Sequence, residues 1–261
     1  NWKDEQMSWK KTCYIGDWSF LGGTLNLLFE GPEALRLVSD ISVNSFTKFD
    51  IGQGKHVIQC NNDGKVIAEG ILMRLGEEKF VAQSSPAMYI SFKLDAGQYN
   101  VNSWQEPCFN YQVSGPNSLY VVEKAAGESI RDIGFMRFRT IKIKGREVVA
   151  LRQGMAGELG YELQGPQEYA QEIYNAILKA GQEYGIRRLG RRTVMINHLE
   201  ACFPTGMWHY LNAMWGPDVE GYFNHAGEKF NPGITPKITG SFQGNDISDY
   251  YRSPVELGWT K

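Results

Sequence analysis

Three stretches of this chain share one syntax, an apolar strand followed by Gly-Pro and an amphipathic helix: "LLFEGPEALRLVSD", "YQVSGPNSLYVVEKA" and "YELQGPQEYAQEIYNAILKAG". Glycine lets the chain turn out of a strand. Pro32, Pro116 and Pro166 are predicted in the first helical turn, where the missing N–H costs nothing. The third helix places Tyr169, Ile173, Ile177 and Ala180 on one face, a spacing that buries a stripe against a sheet. In "KHVIQCNNDGKVIAEGILMRL" two strand-like runs flank Asp63-Gly64, a tight-hairpin dipeptide. Helices interleaved with hairpins predict α+β layers repeated at least twice, with a first domain over residues 1–105 and a second over 106–261. Residues 203–261, rich in Gly, Pro, Asn and aromatics, read as long ordered loops and short strands.

The chain has 261 residues and a net charge of -2, so no basic excess exists to meet nucleic acid or an anionic membrane surface. Cys13, Cys60, Cys108 and Cys202 lie far apart, without metal-ligand spacing or a disulfide framework, and read as reduced thiols of a cytoplasmic protein. No metal site is expected. No apolar run approaches the ~20 residues that span a bilayer, and the polar start "NWKDEQMSWKK" is unlike a signal peptide. Thirteen Tyr, thirteen Phe and seven Trp suit either a full core or a pocket for flat ligands. The oligomeric state is left open.

"LRQGMAGELGYELQGP" carries Gly154, Gly157 and Gly160 at G-x-x-G-x-x-G spacing, matching neither a dinucleotide fingerprint nor a phosphate loop. The plain reading is a glycine-rich connection between a strand ending at Leu151 and one beginning at Tyr161. Glu162 stands one residue into that otherwise apolar strand. A buried carboxylate needs N–H partners, and a ligand with two adjacent donors, such as an amino-pyrimidinone ring, would satisfy it.

"RQGMAGELGYEL" resembles the R-x-G-x-x-G-E-x-G-[FY]-E signature of the glycine-cleavage T-protein (aminomethyltransferase) superfamily of tetrahydrofolate enzymes. "GQGKHVIQCNNDGKVIAEGIL" is similar to a second family block. "GRRTVMINHLEACFP" resembles the third, the G-A-R-D-x-L-R-L-E-A helix, with two extra residues. Within the superfamily, "NWKDEQMSWKK", "YQVSGPNS", "LRQGMAG" and "ISDYYRSPVELG" resemble the tetrahydrofolate-dependent aryl-ether O-demethylases acting on vanillate, 3-O-methylgallate and syringate. The resemblance implies two interwoven α+β domains and a C-terminal barrel arranged as a cloverleaf. "SPVELGWTK" falls where that barrel would begin, so the barrel is expected to lie outside this chain.

The resemblance also implies roles. Glu162 takes the place of the glutamate that grips the pterin, with Gln112 beside it. Met155 and His56 stand at folate-side tyrosine positions, Val57 is carried over with His56, and Arg191 or Arg192 would supply the basic residue of the third block, with Arg192 preferred. Glu69 stands at the family's functional aspartate and is the expected catalytic acid. In place of the polar groups that the aryl-ether enzymes present to a benzoate, this chain has Trp18, Phe20 and Leu21 in "GDWSFLGG" and Ser85 in "AQSSPAMY". Loss of a carboxylate-binding arginine disfavours a benzoate, since a charge-assisted pair is worth ~1.5 to 3 kcal/mol. Val194 stands where those enzymes carry a tyrosine, leaving His198, His209, Tyr210 or a residue of the family's N-terminal region outside this sequence as general-acid candidates, the two histidines being equally readable as core.

The function implied is a cytoplasmic, tetrahydrofolate-dependent methyltransferase of aromatic (lignin-type) catabolism, moving a methyl or methylene group from a small neutral aryl ether or methylenedioxy aromatic. Three other classes remain. A non-catalytic folate binder of the iron–sulfur-assembly type would carry K-G-C-Y-x-G-Q-E, which this chain lacks. An enzyme of aminomethyl transfer, or one demethylating an amine or sulfonium, would lean on Glu69 and the Trp18 region. A plain interaction domain would bind no folate.

Overall fold

The Gly-Pro joints organise both halves of the computed structural model, which describes residues 2–19, 26–154, 157–206, 208–230 and 246–259; within them the side chains of residues 191, 192, 195, 227, 229 and 230 are not described. Strands β1 (Cys13–Asp17), β2 (Asn26–Glu30), β3 (Gln53–Cys60), β4 (Val66–Arg74), β5 (Lys79–Gln83), β6 (Asn102–Glu106), β7 (Cys108–Ser114), β8 (Phe138–Ile143), β9 (Arg146–Arg152), β10 (Gly160–Pro166) and β11 (Ile186–Arg188) form two sheets. Helices are α1 (Trp2–Lys11), α2 (Ala34–Ile41), α3 (Ser85–Asp95), α4 (Ser118–Ala126), α5 (Ala170–Gly181), α6 (Arg191–Glu200) and α7 (Tyr222–Phe230).

After β2, β7 and β10 come α2, α4 and α5, as the shared syntax predicts. The prolines correct one detail, for they precede the helices. Pro32 and Pro116 sit inside turns closed by Ala34 N–H donating to Gly31 C=O and by Ser118 N–H donating to Gly115 C=O, both 3.0 Å. Pro166 ends β10 ahead of a short 3-10 turn over Gln167–Tyr169. Proline fixes φ equally well at the second position of a turn, so the sequence signal marks the joint and not the helical register.

One compact unit comprises residues 1–24, 52–54 and 106–203. Its sheet runs β11-β1-β7-β10-β9-β8. Only β11 against β1 is parallel; the other four pairings are antiparallel. Side chains alternate between the faces of a strand. One face, with Cys13, Ile15, Phe109, Val113, Tyr161 and Leu163, packs with α4 and α5 in an apolar core. Ile173 and Ile177 of α5 are fully buried there, each stabilising by about 1.5 to 3 kcal/mol.

The second unit comprises residues 25–51, 55–105 and 204–261, with sheet order β3-β4-β5-β2-β6. Phe29 and Phe80 stack at 5.4 Å in its core beside Leu37, Ile67 and Leu72. The Asp63-Gly64 hairpin joins β3 to β4: Gly64 has φ 71°, and Asn61 N–H donates to Lys65 C=O at 2.9 Å. The expectation of loops and short strands after residue 203 is corrected by α7, whose Tyr222 and Ala226 are fully buried in the same core. An aromatic-rich segment with little overall periodicity still provides one apolar face over nine residues.

The chain crosses between units at 105/106 and also at 24/25, on both sides of 52–54, and at 203/204, so neither unit is one contiguous stretch. Among the described residues no helix is long and apolar enough to cross a membrane, and no three His, Cys, Asp or Glu side chains gather as metal ligands. All four cysteines are free thiols.

Candidate functional site

The second face of the first unit's sheet should be the wet one, since an antiparallel sheet commonly turns a polar face to water. Here the polar face is buried. Register places Tyr14 opposite Ser114, Gly16 opposite Gln112, Glu162 opposite Gln112 and Gln164 opposite Asn110. Of these, Gln112 and Ser114 are inaccessible and Glu162 is 7% exposed. From α6, Thr193, Asn197 and His198 are buried as well. Buried polar side chains are the informative exception in a protein interior, and each demands a partner.

Partners are found for only part of the layer. Tyr14 Oη donates to Gln112 Oε1 at 2.6 Å. Asn110 hydrogen-bonds the Glu162 carboxyl, but burial outweighs that bond and pushes its pKa up to about 7. Glu162 Oε2 and Gln112 Nε2 make no hydrogen bond among the described residues. An acceptor and a donor therefore stand uncommitted on directly paired residues, each costly to bury without a partner.

An aromatic group borders this layer. Trp18 and His198 stack at 5.6 Å with 20° between planes, and Phe203 meets His198 edge-on at 6.5 Å. A Cβ added to Gly16 would lie 3.4 Å from Trp18 Nε1, so the indole overlies the strand position facing Gln112.

The glycine-rich connection, residues 153–159, links β9 to β10 as the plain reading predicts. Gly154 holds this backbone against itself, since its Cβ would sit 1.8 Å from Glu158 O, and Gly160, which opens β10, lies so close to β7 that its Cβ would sit 2.8 Å from Ser114 Oγ. The motif thus packs the hairpin that presents Glu162.

The other expected residues lie in the second unit. His56 Nε2 and Glu69 Oε2 are 2.8 Å apart on neighbouring strands β3 and β4, with Trp259 edge-on to His56 at 5.2 Å. Tyr210 packs edge-on against Trp259 at 6.0 Å, and its buried hydroxyl finds no partner among the described residues. Burial and the Glu69 charge both push that phenol up. Val57 packs into the apolar core, so its side chain is committed to packing. Ser85 opens α3 and is half-buried. His209 Nδ1 accepts the Thr205 N–H at 2.9 Å, and burial lowers its pKa. Val194 is a buried position of α6. Phe20, Leu21 and Met155 lie outside the described residues, as do the side chains of Arg191 and Arg192.

The residues brought together are thus Glu162 with Gln112, Trp18 with His198, and His56 with Glu69. Sequence reasoning missed Tyr14, Asn110, Asn197, Phe203 and Trp259. For Asn110 a signal existed: "FNYQVS" alternates Asn110, Gln112 and Ser114 with apolar residues, a polar stripe at period two.

Comparison with known proteins bears on the family and the fold. The family model described as the GCVT N-terminal domain matches residues 1–210. A protein named sesamin methylene transferase, from Sinomonas sp., is 34% identical over 227 residues, covering 84% of this chain and 49% of its own. A syringate O-demethylase of Sphingobium sp. is 29% identical over 99% of this chain and 58% of its own, and an aminomethyltransferase of Halothermothrix orenii is 29% identical over 70% and 52%. The chain spans about half the length of these curated relatives. The crystal structure of glycine cleavage system aminomethyltransferase T from Bartonella henselae superposes with a TM-score of 0.66, at 20% identity, over 77% of this chain and 54% of that chain, a likeness of fold.

Proposed function

The chain belongs to the GCVT N-terminal domain family, and on that premise we propose that it serves a tetrahydrofolate-dependent one-carbon transferase in which Glu162 holds the pterin ring. The observation that carries this reading is the pair of uncommitted atoms, Glu162 Oε2 and Gln112 Nε2, buried side by side on paired strands. A 2-amino-4-oxo pyrimidine edge offers adjacent N–H donors for the carboxylate and a carbonyl acceptor for the amide, so the residues present fit the cofactor. Met155 and Arg192 are assigned to the cofactor with them, and His56 with the backbone at Val57. When bound, tetrahydrofolate supplies the nitrogen nucleophile that accepts the carbon.

The substrate class is a small aryl methyl ether or a methylenedioxy aromatic. Relatives named for sesamin methylene transfer and syringate O-demethylation support it, as does the Trp18, His198 and Phe203 group, whose flat rings suit a flat substrate. Trp18, Phe20, Leu21 and Ser85 are assigned to substrate contact. As the carbon leaves, the aryl oxygen needs a hydrogen-bond donor or a proton. General acids typically contribute ~100 to 10,000-fold, and His198, stacked on Trp18, is assigned that role. Glu69, paired with His56 at 2.8 Å, is the carboxylate assigned to the chemistry.

The test is direct. Titrating tetrahydrofolate into the full-length protein should give saturable binding that Glu162→Ala removes while the melting temperature is retained; unchanged affinity would refute the assignment. Mass spectrometry of the folate after incubation with guaiacol-type, syringyl-type and methylenedioxy substrates should show a methyl or methylene product. Product from an amine donor alone would instead place the protein with the aminomethyl enzymes.

A further inference from the structure

Glu162 and Gln112 are directly paired across β10 and β7, which puts their Cβ atoms roughly 4.5 to 5.5 Å apart on one face of the sheet. An ionised carboxylate only accepts hydrogen bonds, whereas an amide presents either its N–H donors or its oxygen, depending on which way it is turned. At Gln112 the turn is decided by a third residue. Tyr14, 1% exposed, gives its hydroxyl proton to Gln112 Oε1 at 2.6 Å. On β1 the residue opposite Gln112 is Gly16, which has no side chain to compete for the amide. The carbonyl end is thereby committed to Tyr14, and Nε2 is left with no partner among the described residues. Turned the other way, the amide would set an acceptor beside the carboxylate acceptor and give up the 2.6 Å bond from Tyr14. An unpaired buried polar group shifts an equilibrium by roughly 5- to 150-fold.

We infer that Tyr14 is a positioning residue that fixes the direction of the Gln112 amide, so that the site accepts a 4-oxo pteridine edge and rejects a 4-amino one. The inference rests on the folate reading given above and goes further, to the rule by which the site discriminates among pteridines. A 4-oxo ring offers a carbonyl to Gln112 Nε2 and an adjacent ring N–H to Glu162. A 4-amino ring replaces that carbonyl with a second donor and removes the ring N–H, so donor meets donor at Gln112. Burial pushes the Tyr14 phenol well above its ordinary range, with the Ser114 and Asn197 side chains opposing the rise and the Glu162 charge adding to it. Burial thus favours the protonated, donating form of Tyr14.

Folic acid and aminopterin differ only at this ring position, and their affinities for the full-length protein can be compared by calorimetry or tryptophan fluorescence. The wild type should favour folic acid by roughly tenfold or more. In Tyr14→Phe, which removes one oxygen, the amide is free to turn and the preference should shrink to about threefold or less. Gln112→Met should lose the preference too, and adding Tyr14→Phe to it should change nothing further. A purely structural role would lower both affinities together and leave their ratio alone. An unchanged ratio in Tyr14→Phe, or in Gln112→Met should Tyr14→Phe fail to fold, overturns the inference. In that case loss of folic acid binding in Glu162→Ala would keep the folate reading intact. Absence of binding of both folic acid and 5-formyltetrahydrofolate by the wild type overturns the two together.

Discussion

Glu162 is the residue whose environment says most about it. Its carboxyl has an ordinary pKa of 4.5 when unfolded and one raised to about 7 in the fold, principally by burial. Between those values the folded chain holds a proton that the unfolded chain has released. Stability contributed by this group is thus full below about 4.5, falls as pH rises towards 7, and is lost above it, a total of roughly 3 kcal/mol. Glu162→Gln removes the titration. Melting curves of the ligand-free variant should therefore gain on the wild type between about pH 4.5 and 7 and stay ahead above that window, whereas parallel profiles would show the carboxyl to be ordinary. Folate affinity should move the opposite way, rising with pH as the carboxylate becomes available to accept. At this scale the sequence was partly legible. Glu162 stands out because an acid interrupts an apolar strand, but Tyr14, Asn110 and Asn197 come from two other strands and a helix, and only sheet order reveals that they share a layer with it.

Elements were read best where a joint has a single physical solution. Asp63-Gly64 between two strand-like runs permits little but a hairpin, and Gly64 takes the left-handed φ of 71° that the dipeptide signals. A Cβ there meets nothing within 4 Å, so Gly64→Ala should cost only the backbone term, about 1 kcal/mol, and Gly64→Asn less. Gly160 offers the contrast. Its added Cβ would press on Ser114 Oγ at 2.8 Å and on Gly154 Cα at 2.9 Å, so Gly160→Ala should cost several times more, about 2 to 4 kcal/mol, by forcing β10 away from β7. Denaturant unfolding of the pair separates the two reasons for glycine; equal losses would mean that close approach contributes nothing at Gly160. The Gly-Pro joints were legible as joints, yet proline fits a turn as readily as a helix start, which is why the helices begin one or more residues later than expected. The helix α7 escaped notice because its apolar face is short and set among loop-forming residues.

At the scale of the whole molecule, the family resemblance carried by "RQGMAGELGYEL" is confirmed by the match over residues 1–210, and with it the α+β core. Local pattern cannot report which strand inserts where. A division at 105/106 assumes contiguous domains, whereas compactness assigns residues 1–24 to the same unit as 106–203. The reason is β1, which lies between β11 and β7 in the sheet and buries Cys13, Tyr14 and Ile15 to 1% exposure or less. Removing it would strip the β7 and β11 ladders of a partner, open the core that Cys13 and Ile15 help to fill, and expose the polar layer behind Gln112. Losing three buried side chains alone forfeits several kcal/mol, against a total stability of about 5 to 15 kcal/mol for a domain. A polypeptide of residues 106–203 should therefore show no cooperative melt and a collapsed amide proton spectrum, while joining residues 1–24 to it should restore both. A cooperative transition in 106–203 alone would mean that β1 is an accessory to this sheet and not a strand its folding requires.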